Sequence, residues 1–333
     1  MMQENRFNIE LSQLSAGYNQ PDGTPLEILK NINFSATNGE MVALIGSNGI
    51  GKSTLLRSIT GFQNYFSGSI KINGRELKDI KAREIARIMS FVSTENIQVA
   101  NMTVLDLVAY GRFPYTNWIG KLSDNDKKIV NEAIQKVGLS GFENRMTTQI
   151  SDGERQRAVI ARALAQDTPV IVLDEPTAFL DVSNKYEIFH LLQLLAKEKQ
   201  KTIVLSSHDL NIALREVDKL WIITEDNNFQ GAPEDAVLKG WLEKLFKNQH
   251  IGFDLQEGEY FFKKEFKAKV KVEGEGLPLI WTLRALNRAG YQIVVEAEPD
   301  FRVIAEKDQW VLQSAKTTGT FQSLYQLLQK LES

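Results

Sequence analysis

Short apolar runs alternate with amphipathic helical patterns through the first two thirds of the chain. Three runs are typical of buried strands: Met41–Gly46, Val170–Pro176 and Thr202–Asp209. Helical patterns cover residues 53–62, 154–166 and 184–200. This alternation predicts an α/β core built on a parallel sheet. Residues 7–16 and 31–36 instead alternate apolar and polar positions around a turn rich in Gly, Pro and Asp, which predicts an attached antiparallel sheet.

The pattern changes towards the C-terminus. The last part of the chain shows the order strand, helix, three strands, helix, with the first of the three strands at residues 292–298. This order predicts a small α+β domain. The acidic, Gly-containing stretch Asp254–Tyr260 has the composition of a linker. We therefore expect a first domain at residues 1–250 and a C-terminal domain at residues 255–333.

Composition narrows the classes of protein. The chain has 333 residues, 43% of them apolar and 24% charged, as in ordinary globular proteins. It contains no cysteine, which excludes disulfides and thiol chemistry, and its net charge of −3 provides no general attraction to nucleic acid. No apolar stretch approaches the roughly 20 residues of a membrane helix, and the N-terminus lacks a signal-peptide core. We expect a soluble, cytoplasmic chain that reaches a membrane through a partner.

A phosphate-binding pattern follows the first buried run. Residues Gly46–Ser53 match G-x-x-x-x-G-K-[ST] between a predicted strand and a predicted helix. Glycines let backbone N–H groups curl around phosphate oxygens, Lys52 supplies a positive charge, and the Ser53 hydroxyl can ligate Mg²⁺. The expected nucleotide-binding residues here are Gly46, Ser47, Asn48, Gly49, Ile50, Gly51, Lys52, Ser53 and Thr54.

Two carboxylates end the second apolar run. Asp174 is placed to bind Mg²⁺ directly or through water, and the adjacent Glu175 can polarise an attacking water. Acids are common in loops that follow strands, so this pair alone is a weak signal.

A third motif lies between these two. Residues Ile150–Arg157 read Ile-Ser-Asp-Gly-Glu-Arg-Gln-Arg, and Ser151 with Gly153 forms a second anion site at a helix start. This segment resembles the signature of ABC ATPases, usually written LSGGQ or LSGGE followed by RQR. The resemblance extends over about residues 5–245 and is carried by motifs in the family's order.

The resemblance implies a fold, a substrate and roles for further residues. The fold is that of a P-loop NTPase with an antiparallel β-subdomain and a helical subdomain. Tyr18 resembles the aromatic that stacks on adenine, Ala178–Asp181 the D-loop with Asp181 near nucleotide, and His208 the switch histidine at the γ-phosphate. Taken alone, Tyr18 equally suits packing, and His208 a structural role. Catalysis then rests on Glu175, His208 and Lys52.

The resemblance also implies partners. Two copies of the chain pack head to tail as a homodimer, and each signature closes over the Mg²⁺ and ATP held by the other copy. The dimer binds integral-membrane permease subunits at the inner face of the plasma membrane. A periplasmic or lipoprotein substrate-binding protein acts on the far side, and nucleic acid is not a partner.

Two positions depart from the family pattern. Asp152 replaces the first glycine of the signature, which places a carboxylate beside a phosphate site. Thr94 stands where the family has a glutamine that reaches towards Mg²⁺ and couples hydrolysis to the permease. Our hypothesis is that water, Glu95 or Gln98 completes the contact of the shorter Thr94; alternatively, Glu95 is simply a solvated acid.

Residues Met102–Tyr115 resemble a segment of ATPases that serve iron–siderophore, haem and vitamin B12 importers. Exposed aromatic residues there suit a permease interface, although Tyr110, Phe113 and Tyr115 could equally fill the helical subdomain. A soluble ABC protein without a channel and an exporter ATPase remain alternatives. For the C-terminal domain we expect a regulatory or dimer-stabilising role.

Overall fold

The computed structural model describes residues 7–93, 101–116, 120–178, 180–245, 250–255, 258–314 and 318–332. The chain divides into two compact units. The first comprises Met1–Lys247 with Phe253–Glu259, and the second Asn248–Gly252 with Tyr260–Ser333. Within the described ranges, no helix combines the length and apolar composition needed to cross a bilayer.

The first unit contains two sheets. Its described strands are β1 (Phe7–Asn19), β2 (Pro25–Thr37), β3 (Met41–Ile45), β4 (Tyr65–Ile72), β5 (Arg75–Glu76), β6 (Met89–Val92), β7 (Val170–Leu173), β8 (Thr202–Ser206), β9 (Lys219–Ile223) and β10 (Asn228–Gly231). Its described helices are α1 (Lys52–Ile59), α2 (Ala82–Ile88), α3 (Val104–Ala109), α4 (Asp124–Lys136), α5 (Asp152–Ala165), α6 (Val182–Lys199), α7 (Leu210–Glu216), α8 (Pro233–Leu238) and α9 (Trp241–Leu245).

The central sheet has the strand order β10-β9-β3-β8-β7-β6, and all neighbours except β10 and β9 pair in parallel. Strands β3, β7 and β8 are buried along their whole length, which explains their uninterrupted apolar sequences. The carboxyl ends of parallel strands meet at one edge of a sheet. Residues that follow β3, β7 and β8 therefore converge there.

The predicted antiparallel sheet is present, with strand order β2-β1-β4-β5. It shares a hydrophobic core with the central sheet. Within that core Phe34 of β2 stacks on Trp221 of β9, with ring centroids 5.0 Å apart. This pair joins the two sheets by packing, because the indole N–H of Trp221 has no acceptor among the described residues.

A helical subdomain is inserted between β6 and β7 and consists of α3, α4 and α5, with a 3₁₀ segment at Tyr110–Tyr115. Each helix begins with a reciprocal capping box, in which a hydroxyl and an acid three residues later each accept a backbone N–H bond. The pairs are Thr103 with Asp106, Ser123 with Asp126, and Ser151 with Glu154. These caps explain why the helices begin where they do.

The C-terminal part begins with a ribbon of β11 (Ile251–Asp254) and β12 (Glu259–Phe262). The ends of the predicted linker Asp254–Tyr260 therefore lie in paired strands, since Asp254 ends β11 and Glu259 begins β12. Then follow β13 (Lys269–Gly274), α10 (Gly276–Arg288), β14 (Gln292–Ile293), β15 (Phe301–Ala305), β16 (Trp310–Ser314), β17 (Thr318–Phe321) and α11 (Leu324–Glu332). The α+β class is confirmed, with strand order β14-β13-β15-β16-β17.

The strand count of this unit differs from the prediction. We expected a full strand over residues 292–298, but β14 has two residues, and the acids and Pro299 that follow do not continue the ladder. We also missed β17, whose sequence Thr-Gly-Thr-Phe lacks a strong apolar alternation. The first error overestimated the apolar signal of Ile293–Val295, and the second concerns a strand with little hydrophobic signal.

Replacing Trp221 with alanine should lower the free energy of unfolding by about 3–5 kcal/mol, because it opens a cavity between the two sheets. Trp221→Phe should cost less, about 1–2 kcal/mol, because a ring remains to stack on Phe34. Urea unfolding monitored by nucleotide binding measures both variants. Leu238→Ala, at an exposed site, is the control. An equal loss of unfolding free energy in all three variants would contradict the role of Trp221 in joining the two sheets.

Candidate functional site

The loop after β3 has the geometry of a phosphate cradle. Gly51 adopts φ +106°, and a Cβ there would lie 2.8 Å from the Leu29 side chain. A Cβ on Gly46 would lie 2.8 Å from the Ile223 carbonyl oxygen. The loop therefore requires glycine at both positions, and α1 begins immediately after it with its N–H groups free to face an anion.

Lys52 holds the loop closed. Its Nζ donates to the carbonyl oxygens of Gly46 at 2.8 Å and Ser47 at 3.1 Å, and the side chain is buried. Burial lowers the pKa of Lys52, while the nearby carboxylates of Glu175 and Asp174 oppose that shift. The ammonium thus occupies the centre of the loop, where it can turn to a phosphate oxygen.

Tyr18 of β1 lies beside this loop. Its hydroxyl is 2.9 Å from Oγ1 of Thr54 in α1, and 44% of the residue is exposed. The hydrogen bond fixes the ring next to the start of α1. The exposed ring can receive a flat apolar group such as a purine base.

Asp174 follows β7 and is 2% exposed. Its Oδ1 accepts a hydrogen bond from Ser206 Oγ at 2.7 Å, and its backbone N–H donates to Val92 O at 2.8 Å. Ser206 Oγ also accepts a bond from the Glu175 N–H at 2.8 Å. One hydroxyl at the end of β8 therefore orients both acids that end β7.

Glu175 and His208 are in direct contact. Oε1 of Glu175 lies 2.6 Å from Nε2 of His208, and both side chains are partly exposed. Glu175 has φ +48°, a left-handed conformation that disfavours a non-glycine residue by about 1 kcal/mol or more. A strained, oriented carboxylate at the mouth of the phosphate loop is suited to accept a proton from water.

The signature segment forms the start of α5. Oε2 of Glu154 accepts bonds from the backbone N–H of Ser151 at 2.7 Å and from its hydroxyl at 2.9 Å. These bonds, the backbone one most, lower the pKa of Glu154. Asp152, the departure from the family pattern, is paired: its Oδ1 accepts from Arg155 Nη1 at 2.5 Å. The extra carboxylate is therefore neutralised by a buried guanidinium of the same helix turn.

The predicted site residues do not all lie around Lys52, since some lie at the starts of helices α5 and α6. Asp181 caps α6, with its side chain accepting the Asn184 N–H at 2.8 Å. The structure brings Lys52, Asp174, Glu175 and His208 together, whereas the bonds of Ser151 and Asp181 lie within their own helix starts. Thr94, Glu95 and Gln98 fall outside the described residues.

Comparison with known proteins assigns the family. Residues 29–178 match the profile described as ABC transporter, and residues 267–332 match the Iron ABC transporter C-terminal domain. An ABC transporter ATP-binding protein from Methanocaldococcus jannaschii is 37% identical over 290 residues, covering 86% of this chain and 98% of that protein. The chain belongs to the family of ABC transporter ATP-binding proteins.

Two further comparisons agree with this assignment. The iron(3+)-hydroxamate import ATP-binding protein of Bacillus subtilis is 36% identical over 208 residues, which cover 62% of this chain and 76% of that protein. A solved dimeric ATP-binding cassette, bound to ADP and Pi after hydrolysis, matches with a TM-score of 0.60 and 27% identity. That match covers 67% of this chain and 98% of the other. The predicted family, fold and ATP hydrolase activity are confirmed.

The segment Met102–Tyr115 of this ABC ATPase combines exposed aromatic residues with a buried arginine that anchors it. Tyr110 is 58% exposed and Phe113 69% exposed, so neither fills the helical subdomain. Tyr115 is less exposed, at 36%, and one face of its ring is covered by the Arg112 guanidinium, 4.1 Å from the ring centroid. Arg112 is buried, and it donates to Asp126 Oδ1 and to Ala165 O, each at 2.8 Å. The arginine thus fastens the segment to α4 and α5.

The two exposed aromatics border a cavity of about 530 Å³ on the ABC ATPase. Much of its lining is apolar and includes Phe62, Ile85, Met89, Phe91, Tyr110 and Phe113. An apolar groove with exposed aromatic rims has the composition of a protein-binding surface.

Sequence reasoning missed Ser206 and Arg155. Ser206 could have been found as the first polar residue after the apolar run of β8, at the edge where the other site residues converge. Arg155 could have been found as the cation three residues after Asp152 on the same helix face.

Replacing Ser206 with alanine should lower kcat for ATP hydrolysis by about 10–100-fold while nucleotide binding persists. The reason is that the buried Asp174 carboxylate loses a donor and the Glu175 N–H loses its acceptor. Ser206→Thr keeps the hydroxyl and is expected to retain most activity. Steady-state hydrolysis and fluorescent-nucleotide titration measure the two effects, and full activity in Ser206→Ala would refute the orienting role.

Proposed function

We propose that this chain is the ATP-hydrolysing subunit of an importer that takes up iron chelates. The observation that carries the proposal is the convergence of Lys52, Asp174, Glu175 and His208 at one sheet edge beside the phosphate loop. The match of residues 267–332 to an iron transporter domain favours iron uptake over export or a soluble role. The cargo itself is selected elsewhere, because an ATPase subunit need not touch it.

Hydrolysis on this geometry needs few groups. The loop amides and Lys52 hold the β- and γ-phosphates, and Tyr18 receives the adenine. Glu175 accepts a proton as the water oxygen attacks the γ-phosphorus, the bond to the β–γ bridging oxygen breaks, and ADP leaves. His208 holds Glu175 in place and faces the γ-phosphate.

The residues present fit a magnesium ion. The Ser53 hydroxyl and the buried Asp174 carboxylate are hard oxygen donors at the loop, which suits Mg²⁺, with Asp174 acting directly or through water. When bound, the ion neutralises charge on the phosphate oxygens. The Ser206 hydroxyl orients Asp174 for this role by donating a hydrogen bond to its Oδ1.

Two copies complete the site in this proposal. The start of α5 offers Ser151 and Gly153 to the nucleotide of a second copy, where the N-terminal end of the helix attracts phosphate. Arg155 compensates Asp152, so the departure from the family pattern does not abolish the anion site. Asp181, which caps α6, is proposed to face the same second copy.

The apolar groove beside Tyr110 and Phe113 is the proposed docking surface for a permease. Through this contact the chain is held at the inner face of the plasma membrane. A substrate-binding protein then acts indirectly, on the opposite side of the permease. The C-terminal unit has its own core and is proposed as a regulatory or dimer-stabilising domain.

Glu175→Gln should reduce kcat about 10²–10⁴-fold, because the amide cannot accept the proton of the attacking water. ATP binding should persist, and ATP should then hold two copies together for longer than in the wild type. Size-exclusion chromatography with ATP and with ADP reports the association. Loss of both binding and hydrolysis in a folded variant would count against this role.

Phe113→Ser should abolish co-purification with multi-helix membrane proteins and leave the ATPase rate of the isolated subunit unchanged. The exposed ring lies at the groove and outside the nucleotide site. Leu238→Ser, also at an exposed apolar residue, is the matched control. Undiminished co-purification of Phe113→Ser would remove this surface from the proposal.

A further inference from the structure

Asp209 occupies a helix-capping position without capping its helix. It precedes α7 and makes no side-chain bond to that helix's N–H groups. Aspartate at this position normally accepts such a bond, which stabilises a helix by about 1 kcal/mol. Here the carboxylate turns to Lys185 instead, with Nζ at 3.0 Å from Oδ2 and 3.3 Å from Oδ1. The local capping interaction is replaced by an ion pair to another helix.

Lys185 is also placed against local preference. It lies in the first turn of α6, where the helix dipole disfavours a positive charge. Lys197 and Lys199 lie at the other end of the same helix, where a positive charge is favourable. Asp209 therefore lacks the capping bond that an aspartate usually makes at this position, and Lys185 lies at the helix end that is unfavourable for a positive charge. Such departures from local rules tend to occur at functional positions.

The pair fixes the segment that carries His208. Asp209 is the next residue, and its N–H donates to Ser207 Oγ at 3.0 Å. The Ser207 N–H donates to Leu44 O of β3 at 3.3 Å. One side of the His208 segment is thus bound to the strand before the phosphate loop, and the other side to the first turn of α6. That same turn is capped by Asp181.

We propose that Lys185 is a positioning residue for ATP hydrolysis, which acts through Asp209 to hold His208 against Glu175. The inference rests on the role proposed above for His208. The half-buried Lys185–Asp209 ion pair joins α6, the helix that starts at the D-loop, to the segment that carries His208. An isolated ion pair that remains partly open to solvent adds little to global stability, so its effect should appear in catalysis.

The test compares Lys185→Met with Lys185→Arg in the full-length ATPase. Lys185→Met removes the charge and should lower kcat about 5–20-fold, with KM for ATP changed less than about twofold, because misplaced catalytic groups slow chemistry more than binding. Lys185→Arg keeps the charge and should restore most of kcat. The control is Lys197→Met, which removes an ion pair at the opposite end of α6, with Asp218 at 2.5 Å, and should leave kcat unchanged.

A double-mutant cycle identifies the route of the effect. If Lys185 acts through His208, then Lys185→Met should cost little further activity in single turnovers of the His208→Ala variant. Additive losses, or a wild-type kcat in Lys185→Met, would overturn the inference. Full activity in His208→Ala alone would instead refute the role proposed for the histidine. A thermal melt of each variant separates unfolding from these outcomes, since Lys185→Met and Lys197→Met should melt alike.

Discussion

The site depends on holding one carboxylate inside the protein. Asp174 is almost fully buried, and a buried charge is costly unless donors and opposite charges surround it. The Ser206 hydroxyl and the nearby Lys52 ammonium supply that compensation, and they come from β8 and from the helix after β3. The neighbouring strands β3, β8 and β7 must therefore end at the same edge of the sheet. The phosphate site thus requires the parallel sheet.

Much of the fold could be predicted because its signals are hydrophobic and uninterrupted. Strands β3, β7 and β8 are buried on both faces, so their short, uninterrupted apolar sequences clearly predict buried strands. The hairpin β11–β12 and the edge strand β17 were not recognised, because they are only four residues long and their mixed sequences give no clear alternation, although each pairs with a strand close by in sequence. Short strands with mixed composition are where tertiary context outweighs propensity.

The candidate site was predicted as residue types and completed by the structure. The motifs at Gly46–Ser53 and Asp174–Glu175 show which chemistry is present, but not that Ser206 orients both acids. The doubt raised by Asp152 is likewise answered by Arg155, whose guanidinium also donates to Thr147 O and Ile150 O. The sequence offers candidates for such polar partners by position and spacing, but only the three-dimensional structure shows which hydrogen bonds are made.

Helix α5 has one further consequence. Its first turn carries Ser151–Gly153, and its last turn carries Arg162, which lines the groove beside Phe113. Ala165 O at that end accepts the bond from Arg112. A straight helix of 14 residues is about 21 Å long and stiff along its axis. A small tilt imposed at the groove is therefore carried over that length to the signature, so this helix can act as a lever arm between the two surfaces.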